Sequence, residues 1–364
     1  LVFDTRESKS RSSVLYAMHL FELIEKGKLS PEIKKMLSQT SEEATAPSYG
    51  DLFGAEGASW VPEEEDDISP EQLIADIRDI ISSAAYQKAM QLYTDRKAEK
   101  GELSEKEKME IAKGIGMMKP DAPMVEELEA LISDDLPGVS SYAIRSAARL
   151  KKAEHIPAII QKLSHPKTHD DAVVALVAYG HLAINHLEEY LCDSEKDIGL
   201  RRAVVEVLAG IGSQKAVRLL TRELDRKTEE LEIEIIDALD YIRSERPDIH
   251  FPIKLVKMAT LSAIKRYCKT YIDSQNLEQR RKTLETHFAN LFKLLGLYYP
   301  HEDIVKASQN LTKGTKDSIA DATELLDITL SKKMRSIILP LIEDLPPSDK
   351  RRKFKKILIN LDSH

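Results

Sequence analysis

Apolar residues recur at helical spacing along most of the chain, and from Met109 onward they come in pairs of short stretches joined by a tight turn. The clearest pair is LRRAVVEVLAGIGSQKAVRLLTRELD, Leu200 to Asp225. Its first half is rich in alanine and valine, Gly210-Ile211-Gly212 supplies the turn, and Ala216, Val217 and Leu220 open the second stripe. Related pairs are IAKGIGMM with MVEELEALISDD, AIRSAARL with HIPAIIQKL, AVVALVAYG with HLEEYLCD, and a weaker EIIDALDYI with FPIKLVKMA. Aligning the first stretches brings Ala147, Leu176, Leu208 and Leu239 into register, at steps of 29, 32 and 31 residues. One such pair cannot bury its own apolar face, so the pattern predicts pairs stacked into a continuous core. Ala147, Ala148, Ala178, Ala209 and Gly210 fall where neighbouring helices must approach closely, and Gly180 and Gly212 where a left-handed residue closes the first helix.

The flanks depart from this period. Val14, Leu15, Met18, Phe21 and Ile24 predict a helix, the stretch breaks at Gly27, and Ser30-Pro31-Glu32 restarts it. Residues 39–68 mix Ser, Ala, Gly, Pro and acids without periodicity and predict a long flexible connection. They hold Trp60, the one tryptophan, with Tyr49 and Phe53; these aromatics either pack back on the helices or form a docking segment. Ser69-Pro70-Glu71 opens the next helix, and the charged run RKAEKGELSEKEK predicts a turn before the repeats. Beyond Asn276 the pattern predicts longer helices at 277–297, 303–312, 316–330, 332–341 and 348–361. Four segments result: an N-terminal helix pair at 1–38, an acidic insert at 39–68, repeats at 69–275 and a C-terminal helical cap at 276–364.

Charged residues at 31% and aromatics at 5% favour helices over sheets. Cys192 and Cys268 are isolated in helical patterns and read as reduced, partly buried thiols. No apolar run reaches the 18 or so residues of a membrane span; the longest, around Val173 to Gly180, is too short. The opening LVFDTRESKSRSS lacks the apolar core of a secretory signal, and a start at Leu1 rather than Met fits a piece of a longer protein. The net charge of −8 is uneven: residues 251–364 carry 21 Lys and Arg against 13 Asp and Glu, and residues 1–250 carry 32 against 48. Such polarity either steers partners or reflects solvated helix faces.

Candidate chemistry is sparse. His165-Pro-Lys-Thr-His169 with Asp170-Asp171 offers two imidazoles and two carboxylates, but Pro166 interrupts the helix that a zinc-binding His-x3-His pair needs. The preferred reading is a loop in which Asp170 or His169 caps the next helix. Gly114-Ile-Gly116 and Gly210-Ile-Gly212 lack the lysine or strand context of a phosphate loop. No nucleophile, acid–base pair or metal set supports an enzyme, and no cofactor is expected. The sharpest charge feature is Lys350-Arg351-Arg352-Lys353-Phe354-Lys355-Lys356. On a helix, Phe354, Ile357, Leu358 and Leu361 would face the core, leaving the cations as a solvated face, a contact for an anionic membrane surface, or, least favoured, a contact for nucleic acid.

Leu200-Arg201, Ala203 to Ala209, Gly210-Ile211-Gly212 and Ala216-Val217-Leu220 resemble a HEAT repeat of the short bacterial kind. The resemblance covers about 109–260 well and 11–108 loosely; Ser140 stands in the arginine position of the second unit, and the fifth unit lacks the glycine turn. It implies an all-α, right-handed α-α superhelix, a HEAT/armadillo-like solenoid, recognising partners through a concave face built from the second helices, at Pro157 to Leu163, His186 to Leu191 and Ala216 to Leu224. Further on, Leu295-Gly296-Leu297, Tyr299-Pro300, Asp303-Ile304, Glu324-Leu325-Leu326-Asp327 and Leu339-Pro340-Leu341 resemble the C-terminal tails of bacterial membrane proteins. Those proteins join a transporter part similar to ATP/ADP translocases, of the major-facilitator type, to a soluble HEAT-repeat part. The resemblance implies a non-catalytic interaction or regulatory module, cytoplasmic at the inner face of the membrane, whose partner is another protein or the membrane part of its own chain. No nucleotide-translocating residue carries over, because the transporter part is missing from this chain. Two alternatives stay open: a HEAT-like DNA-binding or base-excision enzyme, against which the acidic repeat region weighs, and a free-standing cytosolic scaffold.

Overall fold

In a computed structural model of the protein, residue 91 and residues 103–117, 125–226, 229–273 and 277–362 are described. The predicted helix pair at 1–38, the insert at 39–68 with Trp60, and the helices opened by Ser69 lie outside these, apart from residue 91. The described residues form fifteen α-helices and no strand. They belong to two compact units, Leu1–Lys151 and Lys152–His364.

In the first unit, α1 (Glu105–Gly116), α2 (Val125–Ser133) and α3 (Pro137–Leu150) pack on one another through Ile111, Ile115, Leu128, Ile132, Val139 and Ile144, all buried. The charged run does not stay a turn as far as Lys108. Helix α1 starts inside it, because Ser104 and Glu107 form a capping box: the Glu107 carboxylate accepts from the Ser104 backbone N–H at 2.9 Å, and Ser104 Oγ accepts from the Glu107 N–H.

The second unit continues with α4 (Ile156–Lys162), α5 (His169–Tyr179), α6 (Ile184–Cys192), α7 (Ile198–Ile211), α8 (Gln214–Asp225), α9 (Glu232–Glu245) and α10 (Ile253–Asp273). Five more helices follow: α11 (Leu277–Gly296), α12 (His301–Lys313), α13 (Lys316–Thr329), α14 (Lys332–Ile342) and α15 (Pro347–Asp362). Helices α5, α7, α9 and α11 touch in succession and form one row; α4, α6, α8 and α10 form a second. Between the rows lie the aligned Leu176, Leu208 and Leu239, all fully buried, with Ile160, Leu187 and Leu220 opposite. Each such side chain contributes about 1.5–3 kcal/mol on burial, enough for helices of 7 to 14 residues that would be marginal alone.

Helix ends repeat as well as helix faces. Seven residues before the aligned positions stand Ser140, His169, Arg201 and Glu232. The first three each reach the carbonyl end of the preceding helix. Ser140 Oγ lies 2.9 Å from Ile132 O and 2.8 Å from Asp134 O; His169 Nδ1 lies 2.8 Å from Leu163 O; Arg201 Nε donates to Leu191 O at 3.1 Å. These carbonyls have no partner within their own helices, so a donor from the next helix satisfies them where water is shut out. Glu232, which cannot donate as a carboxylate, instead accepts from Arg266 of α10.

Four residues after the aligned positions the backbone turns left-handed: Lys151 at φ 53°, Gly180 at φ 58° and Gly212 at φ 52°. Gly212 is the expected left-handed cap, whereas Gly180 pairs its positive φ with ψ −124° and leads into a short 3-10 turn. Helix α9 has Arg243 at this place and runs on to Glu245. Of the small residues expected at helix approaches, Ala147 is fully buried, and Gly210 lies so close to α5 that a Cβ would come within 2.7 Å of Val177. Ala178 does not follow: it is exposed, because the stripe of α5 runs through Ala175, Leu176 and Tyr179.

Replacing Arg201, 2% exposed, by Met strands the Leu191 carbonyl and is expected to cost about 2 kcal/mol in urea unfolding. Gly212→Ala is expected to lower stability by about 1 kcal/mol and Lys151→Gly to raise it by about 0.5 kcal/mol, since only glycine adopts positive φ without steric cost.

Candidate functional site

The second-helix stretches proposed for recognition lie in α4, α6 and α8, side by side in one row. Their outward side chains are laced to one another. Gln161 Nε2 donates to Tyr190 OH at 3.0 Å, Lys215 donates to Asn185, and Arg222 pairs with Glu188. The other row carries matching rungs: His169 to Glu206 at 3.1 Å, Arg202 to Glu234 at 2.7 Å and Lys293 to Asp237 at 2.5 Å. Each exposed rung contributes at most about 1 kcal/mol, but together they fix how neighbouring pairs are set against each other.

The His165 to Asp171 segment is built for this packing. Neither His169 nor Asp170 caps α5; the residue before the helix is Thr168, and its side chain makes no cap bond. Thr168 is buried, and its hydroxyl donates back to Lys162 O at 3.0 Å. His169 bridges two neighbours, since its Nδ1 side faces Leu163 O and its Nε2 side faces Glu206. Among the described residues no group of three or more His, Cys, Asp or Glu is placed to hold a metal ion. The bond to the Leu163 carbonyl, then the nearby Glu206 carboxylate, raise the His169 pKa above the ordinary 6.5.

Both Gly-Ile-Gly motifs belong to helices, at the end of α1 and across the end of α7. The thiols sit in surroundings that keep them protonated. Cys192 Sγ donates to the buried Glu223 carboxylate at 3.2 Å, and burial followed by that carboxylate raises its pKa; burial pushes Cys268 up to about 12. The fourth register position has a different use: Arg266, held by Glu232, stands near His287 of α11, and burial followed by that guanidinium lowers the His287 pKa.

The basic run lies within α15, which packs on α10 and α14. Phe354 is fully buried there, edge-on to Tyr271 at 4.9 Å and tilted against Tyr267 at 5.9 Å. Ile357 is buried beside it, and Leu358 and Leu361 are half-buried. The six cations do not act alike. Lys350 is half-buried and donates to Glu343 O at 3.2 Å, and Lys353 pairs with the Glu343 carboxylate. Burial lowers the Lys350 pKa. Arg352 stands 3.2 Å from Asp349. Arg351, Lys355 and Lys356 are exposed, and among the described residues none of them is in an ion pair. Trp60, the remaining candidate contact, lies outside the described residues.

Beside α15 an open cleft of about 520 Å³ runs between α10, α11, α12, α13 and α14. Tyr271, Leu284, Phe288, Leu311, Ile319 and Ile342 line it, with Arg280 and Arg281 at its margin. Arg280 stacks on the Tyr271 ring at 5.2 Å and Arg281 pairs with Glu285 at 2.9 Å, so both guanidiniums already have partners in their own unit. Local sequence gave no sign of this cleft, because its walls come from five helices spread over some 75 residues.

No family model matches the chain, and none of the curated proteins is similar to it at a significant level.

The raised His169 pKa predicts a pH signature. Stability from its contacts is fully present below the unfolded value of 6.5 and is lost as pH rises through the higher folded value. Urea unfolding across pH 6 to 8, roughly the span in which histidine titrates, is therefore expected to show wild type losing its advantage over His169→Gln at the alkaline end.

Proposed function

We propose that the chain is a HEAT/armadillo-like solenoid that works as a non-catalytic interaction or regulatory module, in the cytoplasmic part of a translocase-like membrane protein. The observation that carries the array reading is the repetition across α3, α5 and α7: one buried leucine or alanine, one carbonyl-binding side chain seven residues before it and one residue of positive φ four after it. Units that share both face and ends stack with their neighbours, and such arrays present long surfaces suited to holding a partner.

The membrane attachment rests on the C-terminal resemblance. Its apolar residues are part of the core: Leu295, Leu297, Ile304, Leu326 and Leu341 are buried. Its tyrosine has a defined job, since Tyr299 OH accepts from the Ser331 N–H at 3.2 Å and donates to Ser331 Oγ at 2.9 Å, steadying the start of α14. The resemblance therefore speaks for a shared helical cap rather than a shared chemical site. No helix among the described residues is long and apolar enough to cross a membrane, so attachment requires a part beyond them.

Fractionation tests the proposal. An antibody raised against this chain is expected to detect, in cells that make it, a band far above 41.1 kDa that stays in the membrane pellet after carbonate extraction. A band at the size of the chain itself, in the supernatant, would replace the proposal with the free-standing scaffold.

A further inference from the structure

We propose that the outward face of α15 is a docking surface for an anionic lipid bilayer. At about 100° per residue, Arg351, Lys355, Ile359, Arg352 and Lys356 fall within one stripe roughly 140° wide, opposite the buried Phe354 and Ile357. The stripe is held outward, since Phe354 is locked against Tyr267 and Tyr271 and the helix cannot roll. Three nearby carboxylates are already engaged, Glu343 by Lys353, Asp349 by Arg352, and Asp362 by Lys265 of α10 at 2.7 Å, and a fourth, Asp344, is exposed and acts on Lys350. Arg351, Lys355 and Lys356 are therefore left facing solvent with their charge uncompensated among the described residues. Lys269 of α10, also exposed, extends the positive surface near Asp362.

The choice of a bilayer over nucleic acid comes from Ile359. Its side chain is 65% exposed in the middle of the cationic stripe. An apolar group gains nothing against a phosphodiester backbone, whereas at a membrane it enters the boundary between headgroups and acyl chains while the flanking cations meet the phosphates. Two-thirds of the cations in the basic run lie on this stripe, Lys350 and Lys353 being turned inward to Glu343.

Vesicle co-sedimentation of the whole 364-residue chain tests this. Wild type is expected to sediment with phosphatidylcholine vesicles containing about 30 mol% phosphatidylserine, not with pure phosphatidylcholine, and to be released by about 0.5 M salt. Replacing Arg351, Lys355 and Lys356 together by Gln is expected to weaken partitioning by at least about tenfold. Ile359→Ser, with the charge unchanged, is expected to weaken it by about threefold. All four positions are exposed, so thermal unfolding of the variants should match wild type and separate lost binding from lost folding. The proposal fails if anionic vesicles do not retain the chain, if neutral vesicles retain it equally, or if the triple variant binds as wild type does. It fails too if duplex DNA at the same salt is preferred and Ile359→Ser changes nothing. The variants read α15, whereas carbonate extraction reads attachment to a membrane part, so either proposal can fail without the other.

Discussion

The last carbonyls of a helix that is covered by its successor must find donors, and in this protein the successor supplies them. Ser140, His169 and Arg201 do this with a hydroxyl, an imidazole and a guanidinium, all from one position of the unit. The requirement is for a donor of suitable reach and not for a particular residue, which is why three side chains of different size satisfy it. A buried carbonyl left unmet costs about 1–3 kcal/mol, a large part of the roughly 5–15 kcal/mol that holds a domain folded. Stacking of the pairs and choice of this residue are therefore one constraint. At the fourth unit Glu232 breaks the rule, and the same place becomes an anchor for Arg266 on α10, the longest of the described helices.

From α10 onward the architecture changes because the helix is 21 residues long and offers more surface than one partner covers. Helices α11 and α15 both pack on it, and the aromatic group of Tyr267, Tyr271, Phe288, Phe292 and Phe354 joins them. That group buries one side of α15 and so turns its cations outward. The polar rungs on the two rows have the opposite effect, tying up many of the side chains that an array would otherwise present. Among the described residues, Arg351, Lys355 and Lys356 of α15 take part in no such rung.

Much of the fold was legible from local pattern. The helices from α3 to α9, the buried register of Ala147, Leu176, Leu208 and Leu239, and the bounds of α11 to α15 follow from apolar periodicity and from glycine and proline positions. Two differences from local pattern have local causes: the Ser104–Glu107 capping box lies inside a charged run, and Ala178 suits a helix contact by size although its angular position points outward. The break at Pro166 is legible locally, but the role of His169 is not, because a cap is a local bond whereas His169 bonds Leu163 and Glu206 on two other elements.

The candidate site shows where local reading stops. A helix with Phe354 inward and cations outward could be read from the sequence, because its period is a property of consecutive residues. That Lys350 and Lys353 turn to Glu343, that Asp362 is taken by Lys265, and that Arg351, Lys355 and Lys356 of the basic run keep their charge for solvent depended on which elements meet. Among the described residues, sequence by itself determined the helices, most of their inward positions and the spacing of the units, since 3.6-residue periodicity and turn chemistry act over a few residues. Tertiary structure decided which polar group each end and each outward charge would find, since those partners lie as many as 97 residues apart and are chosen by packing.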